Sequence, residues 1–359
     1  EEERYNQDKK IQLKIDDLLI TKDGTIGKIA LIKDLPKKTT LNSGVFVTRP
    51  LMRSYNVDYF YWVLSSNVFR DFIDYHKNGS TILHLYQNVF ERFVFLIPSH
   101  SEQQAIANYL DVKTQAIDKK VSLLEQKIET YKKLKRTLIN QTITIGLNKN
   151  VPLKESGISW IGQIPQHWEV KRLKDFFKFS KGKNSSFYNQ VYVNDSKNCG
   201  KYPVYSGQTE NNGIMASINT FEYDYKNDVY LVTTVGAKAM EIKVVRGKFT
   251  LSQNCALIEY KKGKNSSKFN FYYLTQLFKE ERKIIPTIMQ PSLRIEDLDK
   301  YFLIVPPKSE QEEIAKYLDH KTTTIDAIVG NISKQIETLK QLRKTLINDV
   351  VTGKIKVVE

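Results

Sequence analysis

The sequence has little cysteine, no long apolar run and fewer acidic than basic residues. Its two cysteines, Cys199 and Cys255, lie in no paired motif, which argues against a disulfide framework and fits a reducing compartment. No run of about 18 apolar residues is present, so no membrane span is predicted. The first ten residues lack the apolar core of a signal peptide. These absences predict a cytoplasmic protein that does not associate with membranes.

The sequence also lacks the usual signatures of metal and cofactor sites. No glycine-rich strand-to-helix turn for a dinucleotide or methyl donor is present, and the segment Asp23–Lys28 lacks the spacing of a phosphate loop. The five histidines show no metal-ligand spacing; they are His76, His84, His100, His167 and His320. We therefore expect no metal, no cofactor and no catalytic residue.

One pattern leaves a catalytic alternative open. Asp228 is followed by Glu241 and Lys243 in a Glu-x-Lys arrangement, and such carboxylates can hold a divalent metal for DNA cleavage. A solvated strand face with no catalytic role would have the same pattern. A DNA nuclease with two fused domains, each of which recognises one half of the DNA site, therefore remains the alternative function.

Positive charge is in clear excess. The 359 residues include 55 Lys and Arg but only 40 Asp and Glu, for a net charge of +15 and a pI near 9.4. A hydrophobic fraction of 41% is typical of a globular protein. Excess charge of this size favours a polyanionic partner such as nucleic acid, because each phosphate contact releases counterions.

The chain contains one long segment twice. The phrase beginning at Ser101 returns at Ser309 as "SEQEEIAKYLD", and about half of the aligned positions from Ser101 to Thr144 are identical in the second copy. Ser101 and Ser309 follow the strand-like runs "FVFLIP" and "FLIVPP" and are predicted to cap long helices. A repeat of this kind dictates the architecture of a chain.

Each copy has a heptad-like apolar seam. The spacing alternates between three and four residues, which predicts burial against another helix. The two predicted seams are Ile117, Val121, Leu124, Ile128, Tyr131, Leu134 and Leu138, and Ile325, Val329, Ile332, Ile336, Leu339, Leu342 and Leu346. The alternative is that each helix packs only on its own domain, but matched seams favour an antiparallel coiled coil between the two.

The segments before the helices are repeated more faintly. Asp16–Ile32 resembles Asn227–Ile242, and each reads as a strand, a turn with Thr and Gly, and a second strand. The predicted fold class is α+β, with two sheet-rich globular domains separated by the two helices and related by a pseudo-twofold axis. The predicted boundaries are 1–100 for the first domain, 101–156 for the first helix and linker, 157–308 for the second domain and 309–359 for the second helix.

The second domain opens with "WIGQIPQHWEVKRLKD" from Trp160, and it ends in "FLIVPPKSEQEEIAKYLD" before the second helix. This combination, with "DLLITKDGTIGK" in the first half, resembles the specificity subunit of Type I restriction–modification enzymes over nearly the whole chain. The first half has no counterpart to Trp160–Leu173 and is about 52 residues shorter. We therefore expect the first domain to be N-terminally incomplete.

The resemblance implies a function without catalysis. Such subunits carry two target-recognition domains, and each reads one half of a bipartite sequence in double-stranded DNA. They recruit two modification (methyltransferase) subunits, and the full complex adds restriction subunits. A coiled-coil interaction protein with no DNA role is a third possibility beside the nuclease.

Candidate DNA contacts in the second half are cations for phosphate and amides or hydroxyls for base edges. Dense basic residues follow Trp168, and polar side chains flank the predicted turns, although turns and solvated loops favour the same residue types. The candidates are Lys171, Arg172, Lys181, Lys183, Gln208, Asn211, Asn212, Lys238, Gln253, Asn254, Gln290, Ser292 and Arg294. Their counterparts in the first half are Thr21, Lys22, Lys28, Asn42, Ser43, Ser80, Thr81 and His84.

Overall fold

A computed structural model describes residues 5–6, 8–77, 84–208, 211–236, 239–261, 268–285 and 291–358. The chain divides into two compact units. The first comprises Glu1–Thr130 with Ile328–Glu359, and the second comprises Tyr131–Ala327. Within the described residues, no helix is both long enough and apolar enough to cross a membrane.

The first unit combines a small antiparallel sheet with helices. The sheet has the order β2–β1–β3, where these strands are Leu18–Thr21 (β1), Ile29–Leu31 (β2) and Val45–Thr48 (β3). The helices are Val57–Ser65 (α1), Asn67–Lys77 (α2), Gln87–Phe90 (α3) and part of His100–Ile145 (α4). The C-terminal part of α9, which spans Lys308–Val351, also belongs to this unit.

The first core lies between this sheet and its helices. Leu18 and Ile20 alternate along β1 and are fully buried, as a strand with one covered face requires. They pack with α1 and with Ile347 and Val350 of α9. Strand β1 pairs antiparallel with β2, and Leu18 lies opposite Leu31. This pairing confirms the predicted strand–turn–strand segment.

The second unit contains a six-stranded sheet of order β7–β12–β10–β11–β8–β9 and two small two-stranded sheets, β13–β6 and β4–β5. The strands are Leu153–Glu155 (β4), Gln163–Pro165 (β5), Glu169–Arg172 (β6), Phe177–Lys181 (β7), Cys199–Tyr205 (β8), Ile214–Ile218 (β9), Tyr223–Thr233 (β10), Ile242–Leu251 (β11), Cys255–Tyr260 (β12) and Phe302–Val305 (β13). The helices are Leu173–Phe176 (α5), Gln190–Asn194 (α6), Lys268–Ile284 (α7), Ile295–Leu298 (α8) and parts of α4 and α9.

The large sheet is buried on both faces around β10. Tyr230 and Val232 belong to the main core with Trp168 and helix α7, whereas Val229 and Leu231 belong to a separate cluster on the opposite face. This alternation follows the two-residue period of a strand. The main core therefore fixes β10, and the turn that follows it, against the helices.

The two long helices pack antiparallel within each unit, as the sequence predicts. In the first unit Arg343 Nε lies 3.0 Å from the Asp118 carboxylate, and Lys340 Nζ lies 3.3 Å from Glu125. In the second unit Lys135 Nζ lies 2.6 Å from Asp326. The pairs Arg343–Asp118 and Lys135–Asp326 occupy equivalent positions of the repeat, so a cation and an aspartate meet at the same point of the helix contact in both units.

The buried seam differs from the predicted one at one pair of positions. Val121, Ile325 and Ile332 are buried as expected. Leu134 and Leu342 are 50% and 52% exposed, so their assignment to the seam is wrong. The half-buried Lys135 and Arg343 take their place, because a strict alternation of three and four residues passes through these positions.

The helix starts are also earlier than predicted. Helix α4 begins at His100, and the Ser99 hydroxyl accepts a hydrogen bond from the Glu102 amide at 3.3 Å, so Ser99 caps this helix and Ser101 does not. Helix α9 begins at Lys308, which places Ser309 inside its first turn. Gln103 Nε2 and Gln311 Nε2 donate to the carbonyl oxygens of Pro98 and Pro306 at 2.9 and 2.8 Å.

Candidate DNA interface

Three segments meet at the end of β10 in the second unit. The Thr234 amide donates to Asn254 O at 2.8 Å, and the Leu293 amide donates to Thr234 O at 2.7 Å. Val235 and Ser292 form an isolated bridge beside these bonds. Turns after β10, before β12 and before α8 are therefore fixed side by side, and we call this the second-unit edge (residues 205–208, 234–236, 252–254 and 291–294).

The first unit contains the same arrangement. The Lys22 amide donates to Gly44 O at 2.9 Å, and the Leu85 amide donates to Lys22 O at 2.9 Å. Asp23 and His84 form the matching isolated bridge, and their side chains also pair. We call this the first-unit edge (residues 21–28, 42–44 and 84–85). It brings together four of the predicted contacts, which are Lys22, Asn42, Ser43 and His84.

A threonine closes the turn in both units. Thr21 Oγ1 accepts from the Lys28 amide at 3.0 Å, and Thr233 Oγ1 accepts from the Glu241 amide at 3.2 Å. Gly27 has a φ of +79°, and Met240 at the equivalent place has a φ of +69°. The Thr21 hydroxyl therefore has a structural role. Lys28 is the most exposed of the three predicted contacts in this turn, which are Thr21, Lys22 and Lys28.

A polar cavity of about 320 Å³ lies against the second-unit edge. Three of the predicted contacts, Gln208, Gln253 and Asn254, line it together with Ser185 and Ser186. Neither serine was among the predicted contacts, although both follow Lys183 and Asn184 at the end of the basic run. Within the described residues the Gln253 amide makes no hydrogen bond, so its donors and acceptor remain available to a ligand.

The basic residues that follow Trp168 do not lie together in the second unit. Lys181 pairs with Ala256 near the second-unit edge, while Phe177 pairs with Tyr260 at the other end of β7, about 13 Å away for four residue steps. Lys171 and Arg172 precede that far end and lie on β6, paired with β13. The structure therefore groups Lys181 and Lys183 with the edge but not Lys171 and Arg172.

Asn211 and Asn212 have a conformational role. Both adopt left-handed backbone angles, with φ values of +46° and +52°, a region that asparagine tolerates better than most residues. Asn212 O accepts from Lys243 Nζ at 2.6 Å. Both side chains remain exposed, so base contact stays a prediction for them.

The remaining predicted contacts have varied positions. Ser292 lies in the second-unit edge and Arg294 is exposed directly before α8. Asn42 Oδ1 accepts from the Gly44 amide at 2.7 Å, so part of its polar capacity is used internally. Four candidates lie outside the described residues: Lys238, Gln290, Ser80 and Thr81.

A cavity with charged side chains, which was not predicted from the sequence, lies beside the first-unit edge. Its volume is about 550 Å³, and Lys28 and Arg70 line it. Arg70 lies on the exposed side of α2, and its position on an amphipathic helix is the only sequence signal that could have indicated it. Asp74 also lines this cavity, so two cations and one carboxylate lie beside the polar side chains of this edge.

The carboxylates of the nuclease alternative do not converge. Asp228 lies 3.7 Å from Arg246. Glu241 is hydrogen-bonded through its backbone to Thr233. Thr233 is five residues further along β10 than Asp228, which places the two carboxylates about 16 Å apart along the strand. No group of three possible metal ligands occurs among the described residues. Burial raises the pKa of the Cys255 thiol to about 12, which keeps it protonated at neutral pH and unsuited to nucleophilic attack.

Trp168 connects the segment between β5 and β6 to the start of helix α9. The indole is fully buried, and its Nε1 donates to Glu310 Oε2 at 2.9 Å. His167 Nε2 lies 2.6 Å from the other oxygen of the same carboxylate. The "QHWEV" element, which supports the family resemblance, therefore fixes the start of α9 and is not part of the second-unit edge.

Comparison with known families gives a match over most of the chain. The model of the "Type I restriction modification DNA specificity domain" matches residues 2–131 and 165–338. Two similar proteins come from Methanocaldococcus jannaschii. The MjaIX specificity subunit of a type I restriction enzyme is 25% identical and aligns over 95% of this chain and 78% of its own length. The MjaVIII specificity subunit is also 25% identical, with 97% and 81% covered.

Solved structures show the same fold. A chain from a study of complex assembly and conformational transition in the type I R-M system matches with a TM-score of 0.76 and 16% identity, and the match covers 98% of this chain and 85% of that one. The HsdS subunit from Thermoanaerobacter tengcongensis matches with a TM-score of 0.56 and 16% identity, covering 98% and 84%. These likenesses extend the family match to the architecture.

Proposed function

The chain belongs to the specificity subunits of type I restriction–modification enzymes, and from this premise we propose that it recognises a bipartite sequence in double-stranded DNA. Each unit reads one half-site through its own edge. The chain itself performs no catalysis. It recruits two modification subunits, and restriction subunits join them in the full complex.

The repeated edge carries this proposal. Both units fix three turns with matching hydrogen bonds, and each edge presents exposed polar and basic side chains. A protein that reads two half-sites needs two sets of contacts with the same orientation relative to their scaffolds. A duplicated edge supplies them, whereas a single binding site would not require the second copy.

The chemistry of the second-unit edge fits direct readout. Gln253 and Asn254 carry amides, which can form two hydrogen bonds with adenine in the major groove. Lys181 and Lys183 lie on the same side and can contact phosphates, which position a protein without reading sequence. The net charge of +15 supports the electrostatic part of binding.

The described groups give no support to the nuclease alternative. Asp228 and Glu241 lie too far apart to share one metal ion, and the Cys255 thiol stays protonated. The names of the relatives point the same way, since they are called specificity subunits. Binding to DNA without cleavage or methylation is the activity that these residues support.

The long helices support the recruitment of two modification subunits. Leu134 and Leu342 occupy equivalent positions of the repeat, and each is about half exposed. One such leucine lies in each unit, beside an ion pair of the same type. Two equivalent helix surfaces suit two copies of one partner better than a single copy.

Selection from a random duplex library tests the proposal. The purified chain and modification subunits are incubated with the library at moderate salt, and the bound DNA is sequenced. The expected result is a motif of two short specified blocks separated by an unspecified gap. Enrichment of one continuous block, or of no sequence at all, would contradict two-part recognition.

A further inference from the structure

A loop of the second unit holds two exposed apolar side chains beside the second-unit edge. It follows β7 and runs into α6, and we call it the β7 loop (residues 182–191). A Cβ on Gly182 would lie 3.0 Å from the Leu251 side chain at the end of β11, so the loop approaches the edge closely. Ser185 lines the polar cavity together with Gln253. The β7 loop therefore forms a second wall of that cavity.

Hydrogen bonds and aromatic packing hold the β7 loop in place. Asn184 Nδ2 donates to Glu222 Oε1 at 2.7 Å. Tyr188, in the second half of the loop, is buried and belongs to an apolar cluster of the same unit. The Phe187 ring packs on Tyr192, with 4.3 Å between the two ring centroids. The side chains of the loop therefore have set positions before any ligand binds.

Two apolar side chains of this loop remain exposed in a basic stretch of the chain. Phe187 is 55% exposed and Val191 is 84% exposed. Between Asp175 and Asp195 the sequence contains three lysines and no acidic residue. Single exposed apolar side chains are common on protein surfaces, but these two share one short, fixed loop next to the proposed DNA contacts. A surface of this charge fits a polyanion, so duplex DNA is the partner that the loop suits.

The major groove of DNA offers one apolar feature that such side chains can contact. The thymine methyl group projects from the base edge into this groove, and a phenylalanine side chain can pack against it. The amides of Gln253 and Asn254 suit adenine, whose pairing partner carries that methyl group. A single A·T base pair therefore offers an amide contact to one wall of the cavity and an apolar contact to the other.

We infer that Phe187 and Val191 read thymine methyl groups in the half-site of the second unit. The inference rests on the proposed function and deepens it, because it names thymine as a base that the second unit selects. The methyl group packs on an exposed apolar side chain of the β7 loop, while the lysines of the basic stretch contact the flanking phosphates. Burial of one methyl group changes the affinity by about fourfold.

The test replaces thymine by uracil, which removes the methyl group and keeps the base pair. The chain with its modification subunits is titrated against the duplex selected from the random library, with uracil in one half-site at a time, and binding is followed by fluorescence anisotropy. Uracil in one half-site should weaken binding by about fourfold for each methyl group contacted. A Phe187→Ala, Val191→Ala double variant should bind the thymine and uracil forms of that half-site equally. Its response to uracil in the other half-site should match that of the parent chain.

A control variant separates this contact from a general loss of apolar surface. Leu153→Ala removes a side chain that is 42% exposed on β4, outside the second-unit edge, and should leave the uracil effect unchanged.

Three results would overturn the inference while two-part recognition stands. They are equal uracil effects in the parent chain and the double variant, selected half-sites that contain no A·T pair, and a double variant that binds DNA normally but no longer assembles with the modification subunits. The last result would make the β7 loop a protein contact. Selection that gives no two-block motif would instead overturn the proposed function, and this inference with it.

Discussion

The contact between Trp168 and Glu310 gives a quantitative prediction, because the repeat supplies its control. We expect Glu310→Ala to lower the free energy of unfolding by about 2–3 kcal/mol. The change removes a charge-assisted hydrogen bond and leaves the buried Trp168 Nε1 without an acceptor. The bond to His167 adds less, since that side chain is 43% exposed.

Glu102→Ala is the matched substitution in the first unit. Both carboxylates lie in the first turn of a long helix, so the helix-dipole contribution of about 0.3–1 kcal/mol is common to both. Glu102 accepts no side-chain hydrogen bond from the described residues, so its loss should cost only that common part. The difference between the variants, about 2 kcal/mol, therefore measures the contact with the Trp168 element.

Urea unfolding combined with hydrogen exchange provides the assay, because two units need not unfold together. Exchange at Leu303 and Ile304 reports on the second unit, and exchange at Tyr59 and Phe60 reports on the first. Glu310→Ala should accelerate exchange at Leu303 and Ile304 selectively. Equal destabilisation by Glu102→Ala and Glu310→Ala would refute this reasoning, since it would attribute the whole effect to the helix ends.

Three further outcomes are expected. Replacing Lys181 and Lys183 by Glu should weaken binding to all duplexes alike and reduce the slope of log affinity against log salt by up to about 2; a changed target with the same slope would contradict this. Lys135→Asp and Asp326→Lys should each cost about 0.2–1 kcal/mol in urea unfolding, and the double variant should recover most of the loss. Four helix-forming residues inserted after Glu129 should add about 6 Å to the helix and change the gap between half-sites in methylation-site mapping while leaving both half-sites unchanged.

The long helices were predictable because their signal is local and repeated. The spacing of Val121, Ile325 and Ile332 predicts the buried seam directly. Leu134 and Leu342 stand one position before the strict alternation of three and four residues, so their hydrophobicity alone places them wrongly in the seam. A lysine or arginine can bury its aliphatic stem at a seam while its charge reaches an aspartate outside, and this is what Lys135 does.

The sequence predicts which segments contribute to the candidate interface, but it does not predict how these segments group in space. Turns that flank apolar strands can be located from glycine and polar residues, and the internal repeat aligned them. The grouping of Lys181 with Gln253, and its separation from Lys171, depends on which strands pair in a sheet. Pairing between distant strands leaves no local pattern, so this part required the structure.

The predicted strand at Phe93–Pro98 failed for a related reason. Its apolar residues favour a strand, but a strand exists only where another backbone satisfies its amides. The second unit supplies such a partner from Glu169–Arg172, and the described residues of the first unit supply none. The sequence showed the propensity, and the pairing decided the outcome.

Methylation-site mapping of a Gln253→Ala, Asn254→Ala double variant tests the central claim most directly. The variant and the parent chain are each expressed with the modification subunits, and modified positions are located across a genome. Two-part recognition predicts that one half-site becomes degenerate while the other half-site and the gap stay the same. Loss of specificity in both halves, or an unchanged site, would contradict the assignment of one half-site to each unit.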